Sequence, residues 1–376
     1  MTFFKLDTGQ LRNFDAALDG TVRTYSTKTH RVLANLARHI GWPAAVSKLL
    51  RAFFASDPVA RHLVSGNLDR KRIRLPRVFG NAVVSGVYGW VKKVQGSLLR
   101  EALTHELNFF SPDITIVYNG SLYPESVLGD VSTERRRVFV EAGFFPGTLQ
   151  IDPKGLNAAN SVPRDPTFYL SSETDFAKDG LPQAVNNRKS KTSSGAEVQL
   201  NPGYVFVPFQ VPSDMQVTVH SPWIRNMEMF LDAVLAAAER NPEETFVIKE
   251  HPSFKRSVKD LRPAHPRVIF ANHNVTSDLI QNARVVVTLN STVGIEALLY
   301  ERPTITLGNA CYNIEGLVLH APNAGALDKA LSESKNWSPD PDLRRQFIGY
   351  LWSDYLVKGR YDALPENLSE EIAKRA

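Results

Sequence analysis

The chain has a single cysteine, Cys311, among 376 residues. It has no partner for a disulfide framework, and it cannot form a thiolate-only metal cluster. No apolar run reaches the roughly 18 residues a membrane-spanning helix needs, so none is expected. The opening MTFFKLDTGQLRNFD lacks the charged-then-apolar order of a secretory signal. A soluble, cytoplasmic protein is the expectation. His265, His273 and His320 fall at no metal-ligand spacing, and the carboxylates are scattered, so neither a metal nor a cofactor is expected. No zinc-finger spacing or RNA-binding aromatic signature is present, which excludes nucleic acid as the first choice of partner.

What is present is an ordinary globular composition, 43% hydrophobic and 22% charged. At about 100–200 residues per domain, two domains are expected. The net charge of +5 hides a gradient: residues 1–110 carry 17 Lys and Arg against 7 Asp and Glu, leaving 27 against 32 for the remainder. The densest cluster is Arg70, Lys71, Arg72, Arg74 and Arg77. A basic N-terminal third suits an anionic partner such as a membrane surface, or forms a solvated face. Residues 31–40 and 46–54 place apolar side chains three and four apart, with Lys48 and Arg51 on the other side. They read as a basic amphipathic helix pair that packs on its own core or lies on a lipid surface.

From residue 113 the period changes. Strands are expected at 114–118 and 137–140, with a helix between them. Residues 182–203, polar and rich in turn formers, read as a linker. Beyond it, strands at 204–209, 245–249, 267–270, 284–289 and 304–308 alternate with helices at 223–240, 277–283 (capped by Ser277) and 294–300. This alternation argues for an α/β fold with doubly wound parallel sheets. A helical tail follows residue 340. No internal sequence repeat is present.

Ligands of such sheets bind at the carboxyl ends of the strands, so the polar residues there are the candidates. In the second half these are Gln210 to Asp214, Lys249 to Pro252, and Asn290-Ser291-Thr292. In the first half they are Asn119-Gly120 and Glu141. The strand-to-helix switch at Ser291-Thr292 offers free N–H groups and hydroxyls to a phosphate, or is an ordinary helix cap. Glu296, one turn on, reaches a ribose diol or faces solvent. Lys249 and His251 bracket a strand end, where they neutralise or protonate a leaving phosphate. Asp214 and Glu141 are a candidate pair of carboxyl groups for glycosyl transfer, one at the sugar cation and the other at the acceptor proton.

Lys249-Glu-His-Pro, then Asn290-Ser-Thr-Val-Gly-Ile-Glu-Ala-Leu-Leu-Tyr-Glu-Arg-Pro-Thr-Ile-Thr-Leu-Gly, resembles the capsule polysaccharide synthesis family. More closely, it resembles the retaining β-Kdo transferases of the KpsS/KpsC type. Glu141-Ala-Gly-Phe-Phe-Pro-Gly-Thr-Leu-Gln-Ile-Asp-Pro-Lys-Gly-Leu-Asn157 and Phe209-Gln-Val-Pro-Ser-Asp214-Met-Gln are similar to further blocks of that family. The likeness runs in order over about 115–320. It implies a GT-B fold of two Rossmann-like domains facing a central cleft. The expected division is an acceptor-side domain at 1–195 with a basic helical start, a CMP-sugar domain at 200–335, and helices at 340–376 crossing back. It also implies CMP-β-Kdo as donor, a glycan or lipid-linked acceptor, and double displacement with Asp214 as nucleophile and Glu141 as acid/base. His251 then sits at the donor phosphate, with Lys249, Gln210, Asn290, Ser291, Thr292 and Glu296 holding CMP. Lys154 and Asn157 serve the donor or acceptor. One block set is present, as in single-module members, some of which act on phosphatidylglycerol. The basic N-terminal third suits such a lipid, and on that charge a peripheral place on the inner membrane is expected. The alternatives are a transferase for a sialyl or UDP-sugar donor, or a non-catalytic glycan-binding or export member.

Overall fold

The computed structural model describes residues 1–55, 57–183, 195–253 and 256–376. Of the expected linker, residues 184–194 lie outside the described residues. Among the described residues, strands β1 (Thr2–Leu6), β2 (Thr21–Tyr25), β3 (Ile114–Tyr118), β4 (Arg137–Ala142) and β5 (Thr148–Asp152) come first. They are followed by β6 (Tyr204–Pro208), β7 (Phe246–Lys249), β8 (Val268–Phe270), β9 (Ala283–Thr288), β10 (Thr304–Thr306), β11 (Leu319–His320) and β12 (Val357–Lys358).

The chain forms two compact units: residues 1–143, 147–161 and 357–376, and residues 144–146 and 162–356. These bounds differ from the expected 1–195 and 200–335. Residues 162–183 join the second unit because Tyr169, Phe176 and Val162 pack with Phe347 and Tyr350 in one aromatic cluster. The same cluster holds helix Pro341–Tyr350 in the second unit, so only the chain after Leu356 returns to the first.

The second unit is a six-stranded, wholly parallel sheet in the order β8-β7-β6-β9-β10-β11. Counted from β6, this is 3-2-1-4-5-6, the Rossmann order. Its strands read as unbroken apolar runs because both faces are covered. Val205 and Val207 of β6 face helices Met227–Arg240 and Ala324–Glu333. Tyr204 and Phe206 face helices Thr276–Gln281 and Thr292–Leu299. Ser277 is not the cap expected of it. The helix begins at Thr276 after Val275, and the Ser277 hydroxyl turns to the Asp278 carboxylate at 3.3 Å.

The first unit orders its sheet β2-β1-β3-β4-β5-β12. Strands β1 to β4 are parallel; β5 pairs antiparallel with β4, and the edge strand β12 pairs antiparallel with β5. One face packs on helices Thr29–Ile40 and Ala82–Phe110, and the other on Phe14 and the terminal helix Leu368–Arg375. The amphipathic helices expected near 31–54 are present as Thr29–Ile40 and Trp42–Phe54.

Candidate active site

In a 3-2-1-4 sheet the crossovers diverge between the first and fourth strands, leaving a crevice at their carboxyl ends. Here that point lies between β6 and β9, with β7 alongside. Gln210, Lys249-His251 and Asn290-Thr292 follow these three neighbouring strands, so the expected convergence is present.

Lys249, His251 and Glu296 line one recess with Phe209, Thr276 and Val293. Lys249 is buried and donates its ammonium to the Asn274 carbonyl. Burial pushes its pKa down, partly opposed by the Glu197 carboxylate. Nδ1 of His251 lies 3.2 Å from the Ser253 amide, which it accepts. Ser253 Oγ lies 2.8 Å from the same nitrogen. In the tautomer that carries its proton on Nε2, the imidazole can donate to a phosphate oxygen. Glu296 is buried within helix Thr292–Leu299, one turn from its start, and does not face bulk solvent.

Gln210 and Asn290, expected to hold the donor, bind each other. Gln210 Nε2 donates to Asn290 Oδ1 at 3.1 Å, and the Asn290 amide donates to Gln210 Oε1 at 3.4 Å. Asn290 Nδ2 then reaches the carbonyls of Gln216 at 2.8 Å and His220 at 3.3 Å. Both side chains are buried and spend their polar atoms on the fold, pinning the segment that carries Asp214. Asn290→Ala is therefore expected to cost about 1–3 kcal/mol of stability. Turnover should fall with it, read together by thermal melting and an activity assay.

Ser291 caps its helix through the Val293 amide at 3.2 Å, and its carbonyl accepts the Tyr312 hydroxyl at 2.5 Å. Gly294 is obligatory here, because a Cβ would stand 2.4 Å from that hydroxyl. Thr292, half-buried, opens the helix beside it. Asp214 is exposed and caps the single turn Met215–Thr218, accepting the Gln216 amide at 2.9 Å. Its charge opposes the burial that pushes the His220 pKa down. The sequence reading did not single out His220, because no motif marks it.

In the first unit the divergence lies between β1 and β3. Glu141, near the end of β4, accepts Asn157 Nδ2 at 3.3 Å. Asn157 has a left-handed φ of 53° and is held by Gln150, whose Oε1 accepts the Asn157 amide at 3.1 Å. Glu141 and Asn157 are thus brought together. Lys154 is exposed, and its amide, with that of Gly155, is anchored on Asp152 Oδ1 at 2.8 and 3.1 Å. Asp152 Oδ2 accepts the Ser161 amide and hydroxyl, both at 2.7 Å. This buried carboxylate organises the loop, and its signal was the Asp-Pro-Lys-Gly turn chemistry. Asn119 and Gly120 form a left-handed turn with φ of 57° and 76°, tied to β4 by the Asn119 amide on the Val140 carbonyl. A side chain at 120 would strike the Phe139 ring at 2.5 Å, so these two residues shape the turn.

Three further groups border Glu141 or the end of β3. Tyr118 ends β3, and Tyr361 meets it edge-on at 6.0 Å. The Tyr361 hydroxyl is buried without a hydrogen-bond partner, and burial, then Tyr118 and Glu141, push its pKa up. Glu125 lies under Tyr118, accepting its amide at 3.1 Å. Tyr361 is remote in sequence and Glu125 sits in an unremarkable helix start, so neither gave a local signal.

His265 bonds Glu239 at 3.0 Å and His320 lies 3.1 Å from the Thr306 hydroxyl, as structural histidines. Among the described residues no group of three or more His, Cys, Asp or Glu side chains is arranged to hold a metal ion. Among them, no helix is long and apolar enough to cross a membrane.

A family profile described as "Capsule polysaccharide biosynthesis protein" matches residues 180–361. Protein FixF of Sinorhizobium fredii is 54% identical over 374 residues, 99% of this chain and 92% of that protein. The capsule polysaccharide export protein KpsS of Escherichia coli is 29% identical over 176 residues, 44% of this chain and 43% of that protein. Among solved structures, the Thermosulfurimonas dismutans KpsC beta Kdo 2,4 transferase aligns with a TM-score of 0.46 at 18% identity. That alignment covers 65% of this chain and 81% of that one.

Proposed function

The chain belongs to one family with FixF, and its residues 180–361 match the capsule polysaccharide biosynthesis protein profile; from that premise we propose that it is a retaining glycosyltransferase. In this reading it moves Kdo from CMP-β-Kdo to a glycan or glycolipid acceptor in surface polysaccharide assembly. The observation that carries the reading is the meeting of Lys249, His251 and Glu296 in one recess, beside the Ser291-Thr292 helix start. A cation, an imidazole N–H and a helix N-terminus suit a departing nucleotide phosphate.

The proposed reaction has two displacements. A carboxylate oxygen of Asp214 attacks the anomeric carbon of Kdo, and the bond to the phosphate oxygen breaks with its electron pair leaving on CMP. The acceptor hydroxyl then loses its proton to the Glu141 carboxylate and attacks the same carbon, and the Asp214 ester bond breaks. Two inversions give net retention. Asn157 positions Glu141, and the Lys154 loop serves the donor or acceptor. The setting we assign is cytoplasmic, peripheral to the inner membrane, and supported by the basic N-terminal third.

Titration calorimetry tests the donor. CMP is expected to bind, with UMP and UDP much weaker. Tight binding of UDP with none of CMP would overturn the cytidine assignment in favour of another nucleotide sugar. Ser291→Ala combined with Thr292→Val is expected to weaken CMP by up to several kcal/mol. The lost cap should cost about 1 kcal/mol of stability as well. Unchanged CMP affinity in that variant would place the phosphate elsewhere.

A further inference from the structure

The helices of the first unit leave large apolar side chains in solvent. Along helix Trp42–Phe54, Trp42, Val46, Leu50 and Phe54 recur every fourth residue on one side, with Trp42 59% and Phe54 87% exposed. Along the first turns of helix Ala82–Phe110, Val83, Val87, Trp90 and Val91 do the same, Val83 at 73% and Val87 at 57%. The two helices are packed together here. The Phe53 and Trp90 rings meet edge-on at 5.0 Å, Trp90 Nε1 donates to the Phe53 carbonyl at 3.2 Å, and Lys93 Nζ donates to the Ala55 carbonyl at 3.0 Å. Leu75 and Val78, exposed around the short turn Pro76–Phe79, precede the second stripe. A monomer rarely shows so many large apolar side chains together without a partner for them.

The charge around them names the partner. Residues 20–100 contain 15 Lys and Arg against two acids, Asp57 and Asp69, and no acid at all lies between Asp69 and Glu101. Arg72, Arg74 and Arg77 are exposed on the segment leading into the second stripe, and Arg51 sits within the first helix. Apolar and indole side chains set among a large excess of cations over acids fit a bilayer interface carrying anionic headgroups. A protein partner of complementary shape would not require this one-sided charge.

We infer that helices Trp42–Phe54 and the first turns of Ala82–Phe110 form a monotopic insertion face. It beds Trp42, Phe54, Val83, Val87 and Trp90 into the acyl boundary of an anionic phospholipid surface, while the 70–77 cations hold the headgroups. This deepens the membrane setting of the proposed function, and it stands on the surface of the first unit rather than on the transfer chemistry.

Flotation of the full chain with phosphatidylcholine vesicles, with and without about a quarter phosphatidylglycerol, tests it. At about 50 mM salt the wild type is expected to float with the anionic vesicles and at least about tenfold less with the neutral ones. Phe54→Glu with Val87→Glu, both at exposed positions, should lower binding at least about tenfold. Thermal midpoint and CMP affinity should not change. Brominated acyl chains should quench the wild-type tryptophan emission, and Trp42→Phe with Trp90→Phe should remove that quenching. The inference is overturned if the wild type does not float with anionic vesicles, or if the double glutamate variant floats equally well. It is also overturned if sedimentation without lipid shows a dimer that this variant dissociates, since the face then joins two copies. Vesicle binding needs no donor, so a chain that floats yet releases no CMP fails the transfer reading and keeps this one.

Discussion

Incubated with freshly made CMP-Kdo, the intact chain is expected to gain the mass of one Kdo unit, and the Asp214→Asn variant to gain none. The substitution is chosen for what it leaves unchanged. Asp214 is exposed and caps a single turn through one oxygen on the Gln216 amide at 2.9 Å. An asparagine carbonyl accepts that bond equally well, so the turn and the fold persist. The variant loses the anionic oxygen that forms the ester in the proposed reaction. Because the covalent step is the only route to retention by double displacement, turnover should fall by at least about a thousandfold. CMP affinity, which the proposal assigns to the ends of β7 and β9, should stay close to that of the wild type. Comparable residual turnover, or an adduct that survives in Asp214→Asn, would remove the nucleophile assignment while leaving the CMP site intact.

The second unit was the more legible half. Strands buried on both faces must be apolar throughout, so Tyr204–Pro208 and Ala283–Thr288 read as strands without reference to their neighbours. The first strands of the chain gave no such signal. In Thr2–Leu6 the alternation is broken by Lys5, which is buried and ion-paired to Asp15 at 3.1 Å. In the edge strand Thr21–Tyr25 only Tyr25 is buried. The helix Ala82–Phe110 hides its period for the reason that makes it interesting, since its first turns expose valines that a core-facing pattern would bury. The unit boundary was misplaced because aromatic packing between residues 162–183 and 341–356 joins segments far apart in sequence.

For the site, position was readable and direction was not. Residue type at a strand's carboxyl end identified Lys249, His251, Asp214 and Glu141 as candidates. It could not tell which neighbours serve the fold. Gln210 and Asn290 are amides at the rim with the same local appearance as a ligand contact, yet they bond to one another across strands β6 and β9. Asp152, within the block quoted for its family likeness, is the buried anchor of the loop that carries Asn157. Such pairings depend on sheet order, which a single sequence does not contain.

Glu125 gives the largest expected effect of pH on stability. It opens helix Glu125–Val131, is almost wholly buried, and accepts the Tyr118 amide at 3.1 Å through one oxygen. Burial pushes its pKa up from 4.5 to about 8, and the Tyr118 amide, the Thr8 hydroxyl and the Lys5 charge oppose this only in part. The folded chain therefore keeps a proton on Glu125 that the unfolded chain releases. Between pH 4.5 and about 8 the native state binds more protons at this group, so its contribution to stability is full at the acid end. That contribution is lost as pH rises through the folded value. At about 1.4 kcal/mol per unit, the loss across the window is on the order of several kcal/mol. Glu125→Gln keeps the shape and removes the titration, so its urea midpoint should vary less with pH than that of the wild type. The variant should gain on the wild type from pH 5 to about pH 8 and level off above it, whatever the amide itself costs at acid pH. Parallel curves for the two proteins would show that Glu125 is ionised in the fold. Tyr118 senses the charge of both Glu125 and Glu141. Ionisation of Glu125 above about pH 8 would add a negative charge beneath Tyr118 that the neutral group does not carry.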